Sequence, residues 1–224
     1  MKIKICGMRE PENIKSLLEL PIDYIGFIFY PPSPRYIEKE SGLSDWIREN
    51  EEAFATVKKV GVFVNAEIEE LLNKVHDFQL DYVQLHGEEQ PQYCQAINRL
   101  WRMGSMKSAL LMKAFSIGEG FKFESTLDYE PHCAHFLFDT KGDKPGGTGA
   151  SFDWNLLNNY EGKTSFLLSG GIGPDSLHEL LHFDHPQWIG IDLNSRFETS
   201  PGEKDIGKIS AFIDELQKRK DQLP

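Results

Sequence analysis

Short apolar runs recur along the chain, and polar segments with a helical period separate them. Eight runs are rich in Ile, Val, Phe and Leu, and several are apolar on both faces. Such runs are typical of strands in a parallel sheet that is covered on both sides. They are "KIKICG" ending at Gly7, "DYIGFIFY" at Tyr30, "VKKVGVFVN" at Asn65, "DYVQLHG" at Gly87, "ALLMKAFSI" at Ile117, "HFLFDT" at Thr140, "TSFLLSGGI" at Ile172 and "WIGIDLNS" at Ser195.

The segments between these runs predict helices with varying clarity. "AEIEELLNKVHDF" repeats apolar residues at Ile68, Leu71 and Val75, a period close to 3.6. "GPDSLHELLHF" has Pro174 near its start, and "KDIGKISAFIDELQKRK" predicts a clear last helix. The pattern is weakest over residues 99–107 and in "GEGFKFEST".

Eight strand-like runs that alternate with helical segments predict an α/β fold, a (β/α)8 TIM barrel that forms a single domain over residues 1–224. The alternative is a doubly wound open sheet. A Gly-rich turn after the first strand, which that fold uses to bind dinucleotides, is missing. The sequence therefore favours the barrel.

Composition narrows the class of protein. The chain has 224 residues, 40% of them hydrophobic, which is enough for a core. A net charge of −11 disfavours nucleic acid and anionic membranes as partners and leaves a small molecule. Three cysteines without C-x-x-C spacing, no signal peptide and no apolar span predict a cytoplasmic protein. The sequence leaves a monomer and a homodimer equally open.

Active-site residues of a barrel lie at the carboxyl ends of its strands. Polar residues and glycines at those ends therefore form the candidate set, although they are far apart in the chain. They are Cys6, Arg35, Gln84, His86, Asp139, Ser169, Gly170, Gly171, Asn194 and Ser195.

Cys6 and Asp139 end the first and sixth strands, which lie three steps apart around an eight-stranded ring. Their ends would face each other across the mouth, where a thiol and a carboxyl suit proton transfer to and from one substrate. The alternatives are a buried structural thiol for Cys6 and a helix cap or salt bridge for Asp139.

The loops after the seventh and eighth strands are the usual phosphate site of this fold. "LSGGIGPDS" places Gly170 and Gly171 there, and "DLNSRFE" places Asn194 and Ser195. Glycine lets backbone N–H groups approach phosphate oxygens closely. We therefore expect these residues to bind substrate phosphate, although a Gly-Gly pair is also common in simple turns.

Arg35 lies in the proline-rich loop "YPPSPRYI", where its guanidinium suits a carboxylate. It could also be a solvated surface arginine. His86 is a candidate substrate-binding residue, and the alternative of satisfying a backbone carbonyl is slightly favoured. "KGDKPGGTGASFDW" could close over the site but lacks the ending of a P-loop. Neither a metal nor another cofactor is indicated.

Several segments together resemble the phosphoribosylanthranilate isomerase family of tryptophan biosynthesis. They run from the first strand to the last helix: "KICGMR", "GFIFYPPSPRYI", "VGVFVN", "VQLHG", "FDT…GGTGASFDW", "LSGGI" and "DLNSRFETSPGEKD". "SGGI" occurs in several sugar-phosphate barrels, whereas "KICG", "QLHG" and "GGTG" with "FDW" are more specific.

The resemblance implies an Amadori rearrangement without cofactor or metal. N-(5-phosphoribosyl)anthranilate becomes 1-(2-carboxyphenylamino)-1-deoxyribulose 5-phosphate. It further implies that Asp139 is the general acid and Cys6 the general base, that Arg35 faces the anthranilate carboxylate, and that Gly171 and the Ser195 loop hold the phosphate. One residue departs from the family pattern: Arg196 stands where a glycine is usual, and it would be strained at a positive φ.

A thiol of ordinary pKa, about 8.5, is mostly protonated at neutral pH, so the site must favour the thiolate. If Cys6 points into the barrel, strand parity points Lys4 inward too. We predict that Lys4 pairs there with Asp192 of the neighbouring eighth strand.

Two other functions compete with the isomerase. One is a related barrel enzyme for another phosphorylated aminoaldose, as in histidine biosynthesis, but that family has an aspartate where this chain has Cys6. The other is a sugar-phosphate binder without activity. Retention of both Cys6 and Asp139 argues against it.

Overall fold

The computed structural model describes residues 1–38, 41–104, 107–140 and 154–220. The eight predicted strands form one closed barrel, in which every neighbouring pair is parallel. They are β1 (Lys2–Ile5), β2 (Tyr24–Ile28), β3 (Lys58–Phe63), β4 (Tyr82–Leu85), β5 (Leu110–Ile117), β6 (His135–Thr140), β7 (Phe166–Ser169) and β8 (Trp188–Leu193). The predicted barrel is confirmed.

Six α-helices lie in the described part of the chain: α1 (Pro11–Leu17), α2 (Leu43–Glu49), α3 (Ile68–Asp77), α4 (Pro91–Met103), α5 (Leu177–His182) and α6 (Ile206–Lys220). The helix α3 buries Leu71 and Val75 against the barrel, as the period predicts. The uncertain segment around residue 99 belongs to α4, which runs to Met103.

The connection after β5, where the helical pattern is weak, does not form an α-helix. Between β5 and β6 the chain forms only a 3-10 helix, Phe123–Tyr129. Gly118 and Gly120 begin this connection, and Pro131 ends it. Aromatic packing takes over the covering role, because Phe123 and Tyr129 contact Phe138 and Phe115 of the barrel strands.

A short antiparallel hairpin follows β8. Its strands are β9 (Glu198–Ser200) and β10 (Glu203–Lys204), and Gly202 takes a positive φ of 89° in the turn. The hairpin packs against α1, because Lys204 exchanges hydrogen bonds with Asn13 of that helix. The hairpin thereby places Glu198 and Lys204 near the mouth of the barrel.

The core has two layers. A large cluster fills the space between the strands and the outer elements, and a smaller one fills the barrel around Tyr24, Val60, Met112, Leu137 and Leu167. None of the helices in the described part of the chain is long and apolar enough to cross a membrane.

Candidate active site

Strand register decides which candidate residues point into the barrel. Cα partners across neighbouring strands share a face, and the pairs run Lys4–Tyr24, Gln84–Met112, Asp139–Ser169 and Lys4–Asp192. Because Tyr24 and Met112 belong to the inner cluster, Lys4, Gln84 and Asp192 face inward with them. Asp139 faces inward as well, because it lies two residues after Leu137 of the same cluster in β6.

These side chains open into a cavity at the carboxyl ends of the strands, as the barrel predicts. Of the candidate residues, only Arg35 is absent from its lining, which also contains Asp192 and Arg196. The candidates that line it are Cys6, Gln84, His86, Asp139, Ser169, Gly170, Gly171, Asn194 and Ser195. The cavity therefore brings together candidate residues from the ends of five strands, β1, β4, β6, β7 and β8.

Cys6 directly follows β1, and its thiol is buried. Gly26 of β2 makes room for it, since a Cβ added at Gly26 would lie 2.8 Å from Cys6 Sγ. The backbone N–H of Cys6 donates to Leu193 O at 2.9 Å, so the residue is held between β2 and β8. Cys6 lies at the barrel mouth, where it lines the cavity.

The predicted Lys4–Asp192 pair is confirmed. Lys4 Nζ lies 2.9 Å from Asp192 Oδ1, with both side chains almost completely buried. Burial alone would lower the pKa of Lys4, but Asp192 and Cys6 raise it above its usual value. Lys4 therefore stays a cation inside the barrel, with its charge largely balanced by Asp192.

The balance of forces on Cys6 favours the neutral thiol in the absence of substrate. Burial raises the pKa of Cys6 above its usual value, Lys4 and Lys204 act to lower it, and Asp192 acts to raise it. Lys4 by itself does not make the thiol a base, because its partner Asp192 opposes the effect.

His86 links β4 to β6. Gln84 Nε2 lies 2.9 Å from His86 Nδ1, and His86 Nε2 lies 3.3 Å from Asp139 Oδ2. An amide nitrogen can only donate, so Nδ1 accepts and the ring proton sits on Nε2, facing Asp139. The expectation that His86 satisfies a backbone carbonyl is wrong, because both ring nitrogens meet side chains.

Arg35 is held by a carboxylate and is not a solvated surface residue. Its Nε and Nη2 donate to Glu198 Oε1 and Oε2 at 2.8 and 2.5 Å, a two-point contact. Lys204 also donates to Glu198 and, at 2.8 Å, to Asn194 Oδ1. Burial acts to raise the pKa of Glu198, but these two cations and the N–H of Gly202 bring it to about 2.

The loop after β7 needs its glycines. Gly170 and Gly171 take positive φ values of 97° and 66°, which side chains rarely adopt. Arg196, in the loop after β8, is not among the described residues with positive φ, so the strain considered for it does not arise. Its guanidinium instead pairs with both oxygens of Asp175, at 2.9 and 2.8 Å, beside the cavity.

Comparison with known proteins identifies the family. The family model for N-(5'-phosphoribosyl)anthranilate (PRA) isomerase matches residues 3–215. The chain belongs to the PRA isomerase family. It is 45% identical over 216 residues to the N-(5'-phosphoribosyl)anthranilate isomerase of Parabacteroides distasonis, which covers 96% of this chain and 93% of that protein.

Solved structures of PRA isomerases agree with the fold. The Thermotoga maritima enzyme is 33% identical, with a TM-score of 0.80 over 97% of this chain and 99% of that one. A structure of PRA isomerase in complex with reduced 1-(o-carboxyphenylamino)-1-deoxyribulose 5-phosphate is 32% identical, with a TM-score of 0.78 over 97% and 99% of the two chains.

Within this PRA isomerase family fold, sequence reasoning missed Glu198 and Lys204 as neighbours of the site. Both lie past the end of β8, where the search for strand-end residues stopped. The signal was present in "ETSPGEKD", because a Pro-Gly turn between short segments predicts a hairpin that returns to the barrel. Residues 141–153, the glycine-rich segment expected to close over the site, lie outside the described residues.

Proposed function

We propose that this chain catalyses the Amadori rearrangement of N-(5'-phosphoribosyl)anthranilate to 1-(2-carboxyphenylamino)-1-deoxyribulose 5-phosphate, with Cys6 as general base and Asp139 as general acid. The observation that carries the proposal is that both residues line one cavity from opposite sides of the barrel, β1 and β6. Membership of the PRA isomerase family supports it.

The proposed reaction needs an acid and a base that transfer protons at different atoms of the substrate. Asp139 protonates the furanose ring oxygen, the ring opens, and a Schiff base forms with the anthranilate nitrogen. Cys6 removes the proton from C2′, and the C–H electron pair flows toward that nitrogen to give an enolamine. C1′ is then protonated and the 2′-hydroxyl loses its proton, which gives the aminoketose, so substrate and product have the same atoms and the same charge.

Charge and shape suggest how the substrate lies. The phosphate would meet the backbone of Gly170 and Gly171 and the loop with Asn194 and Ser195. Glu198 occupies the Nε and Nη2 edge of Arg35, which leaves Nη1 for the anthranilate carboxylate. His86, beside Asp139, would contact the sugar. The ribose would then lie between Cys6 and Asp139.

The activity is tested with purified protein and phosphoribosylanthranilate, whose fluorescence falls on conversion. Cys6→Ser and Asp139→Asn are each expected to lower kcat at least about 100-fold, since a positioned acid or base contributes about 10² to 10⁴. Cys133→Ala, a cysteine outside the cavity, and Asp45→Asn, an exposed aspartate of α2, serve as matched controls.

Two outcomes contradict the proposal in different ways. An inert wild-type protein would refute the isomerase and leave a sugar-phosphate binder or an enzyme for another aminoaldose. Near-normal rates in Cys6→Ser or Asp139→Asn would refute only the assigned role. Unchanged melting temperatures in both variants are needed to attribute the lost rate to chemistry.

We further propose that the chain is a single domain over residues 1–224 and acts in the cytoplasm. One barrel contains all eight long strands, which supports the first point. Membership of a family of biosynthetic enzymes supports the second. Whether the protein is a monomer or a homodimer is decided by light scattering on the purified chain.

A further inference from the structure

Two buried lysine ammonium groups lie near Cys6, that of Lys4 and that of Lys204. The side chain of Lys204 is 0% exposed, and its Nζ donates to Asn194 Oδ1 at 2.8 Å. That oxygen lies against Gly7, the residue after Cys6, because a Cβ added at Gly7 would come within 2.9 Å of it. Asn194 therefore connects the two residues: its side-chain oxygen accepts from the ammonium of Lys204 and lies against the backbone of Gly7, next to Cys6.

The charges around the thiol do not cancel. Lys4 and Asp192 form a pair of zero net charge. In the described part of the chain, the ion pairs of Arg35 and Lys204 both go to Glu198, so two cations share one carboxylate. Arg35 is always charged. Burial lowers the pKa of Lys204 below its usual value, but the carboxylate of Glu198 opposes this and favours the ammonium. The group Arg35–Glu198–Lys204 therefore carries one excess positive charge in a poorly solvated place, where a new anion would be stabilised.

We propose that Lys204 is a positioning residue for the base of the reaction: its ammonium supplies the excess positive charge that the thiolate of Cys6 balances when it forms. The proposal rests on the proposed function, because it matters for catalysis only if Cys6 is the base. The role is electrostatic, and Lys204 itself needs no contact with substrate.

The other charged groups near Cys6 do not replace Lys204. Asp192 offsets Lys4, and Glu198 holds Arg35 in a two-point contact. His86 and Asp139, across the cavity, are more exposed and therefore better screened by water. Burial raises the pKa of Cys6, and the cations that oppose this are Lys4 and Lys204. The titratable and charged groups around the thiol come from every element that packs against it. They are Lys4 of β1, Arg35 of the loop after β2, His86 of the loop after β4, Asp139 of β6, Asp192 of β8, Glu198 of β9 and Lys204 of β10.

The test follows the thiolate directly and uses no substrate. Iodoacetamide alkylates only the thiolate, so its rate on the peptide that contains Cys6, read by mass spectrometry, is measured against pH. Lys204→Met is expected to move the pH at which the alkylation rate reaches half its maximum about one unit upward. At pH values below that midpoint, alkylation of Cys6 is then about tenfold slower than in the wild type. The pH profile of kcat/KM is expected to shift in the same direction.

A double variant separates charge from structural damage. Lys204→Met with Glu198→Gln leaves Arg35 as the lone charge of the group, so one positive charge is restored. The profile of Cys6 should then return toward that of the wild type, whereas structural damage from two changes would add. Lys59→Met, which removes another buried lysine near the opposite end of the barrel, is the matched control and should leave the profile in place.

Three results would overturn the proposal. One is an unchanged profile in folded Lys204→Met, and another is a double variant shifted as far as the single one. If Lys204→Met does not fold, Glu198→Gln decides alone. It removes a negative charge, so its profile must move to lower pH, and an unchanged profile or an upward shift contradicts the proposal. An inactive wild type would refute the proposed function but leave the alkylation result standing.

Discussion

At the scale of single residues, Cys6 has to meet two opposing demands. Its burial favours the neutral thiol, whereas a general base must lose its proton. The sequence located Cys6, Asp139 and even the Lys4–Asp192 pair, because strand parity is a local property. It did not locate the carboxylate that holds Arg35, because Glu198 is 163 residues away in the chain.

Gln84 offers a prediction at this scale. Its side chain is buried, and its Oε1 has no hydrogen-bond partner in the described residues, which costs folding free energy. Gln84→Met is therefore expected to keep or raise the melting temperature. It should lower kcat about tenfold, because His86 loses the donor that fixes its ring against Asp139.

The control for Gln84→Met is Gln95→Met, the same change at an exposed position of α4. Calorimetry and steady-state kinetics on the same samples separate stability from rate. A variant that loses stability and rate together would show that Gln84 serves the core and not the orientation of His86.

At the scale of elements, the loop after β4 is fastened to β5 by buried charges. Lys113 Nζ donates to Gly87 O at 2.8 Å and to Glu89 Oε2 at 3.3 Å. Glu89 in turn accepts the backbone N–H groups of Asn65 and Gly87. His86 lies within this fastened stretch, so its position depends on an ion pair outside the cavity.

Lys113→Met is expected to lower the free energy of unfolding by about 3 to 5 kcal/mol, because the buried carboxylate of Glu89 loses its only counter-charge among the described ion pairs. Urea unfolding at neutral pH measures the change. Lys15→Met, an exposed lysine of α1, should change stability by less than about 0.5 kcal/mol. A similarly small effect at Lys113 would show that the pair does not hold the loop.

The eight strands were predictable because each is a short apolar run of its own. The helices were less so, and the connection after β5 shows why. Nothing in "GEGFKFEST" excludes a short helix, yet Phe123 packs on Tyr160 and Phe138, residues that come later in the chain. Tertiary contacts, and not local period, decided its 3-10 form.

At the scale of the whole molecule, closure of the barrel joins the two ends of the chain. β1 pairs with β8, and the hairpin after β8 hydrogen-bonds to α1 through Asn13 and Lys204. Glu198 lies at this junction. Its two cationic partners come from a loop near the N-terminus and from the hairpin itself, so its ionisation contributes to the stability of the entire barrel.

Acid should therefore destabilise the wild type through Glu198. Its pKa is about 2 in the folded protein and about 4.3 in an unfolded chain, so the unfolded state takes up the proton first. The contribution is fully present above about pH 4.3 and is lost as the pH falls toward about 2. Unfolding by urea at several pH values in this window measures how steeply the free energy of unfolding falls with pH.

The comparison is with Glu198→Gln, which cannot titrate and should show a shallower loss of stability over the same window. Glu161→Gln, a change at an exposed glutamate, should keep the slope of the wild type. Equal slopes for the wild type and Glu198→Gln would show that Glu198 does not carry the acid sensitivity.

The sequence by itself determined the strand runs, their order, the barrel and the residues at the strand ends, since apolar period and strand parity are local. Tertiary structure alone decided that His86 meets Asp139 and Gln84, that Arg35 is held by Glu198, and that Lys204 lies buried behind Cys6. Charge balance is the physical reason. A buried ion is tolerated only beside its partners, and the fold chooses them from distant parts of the chain.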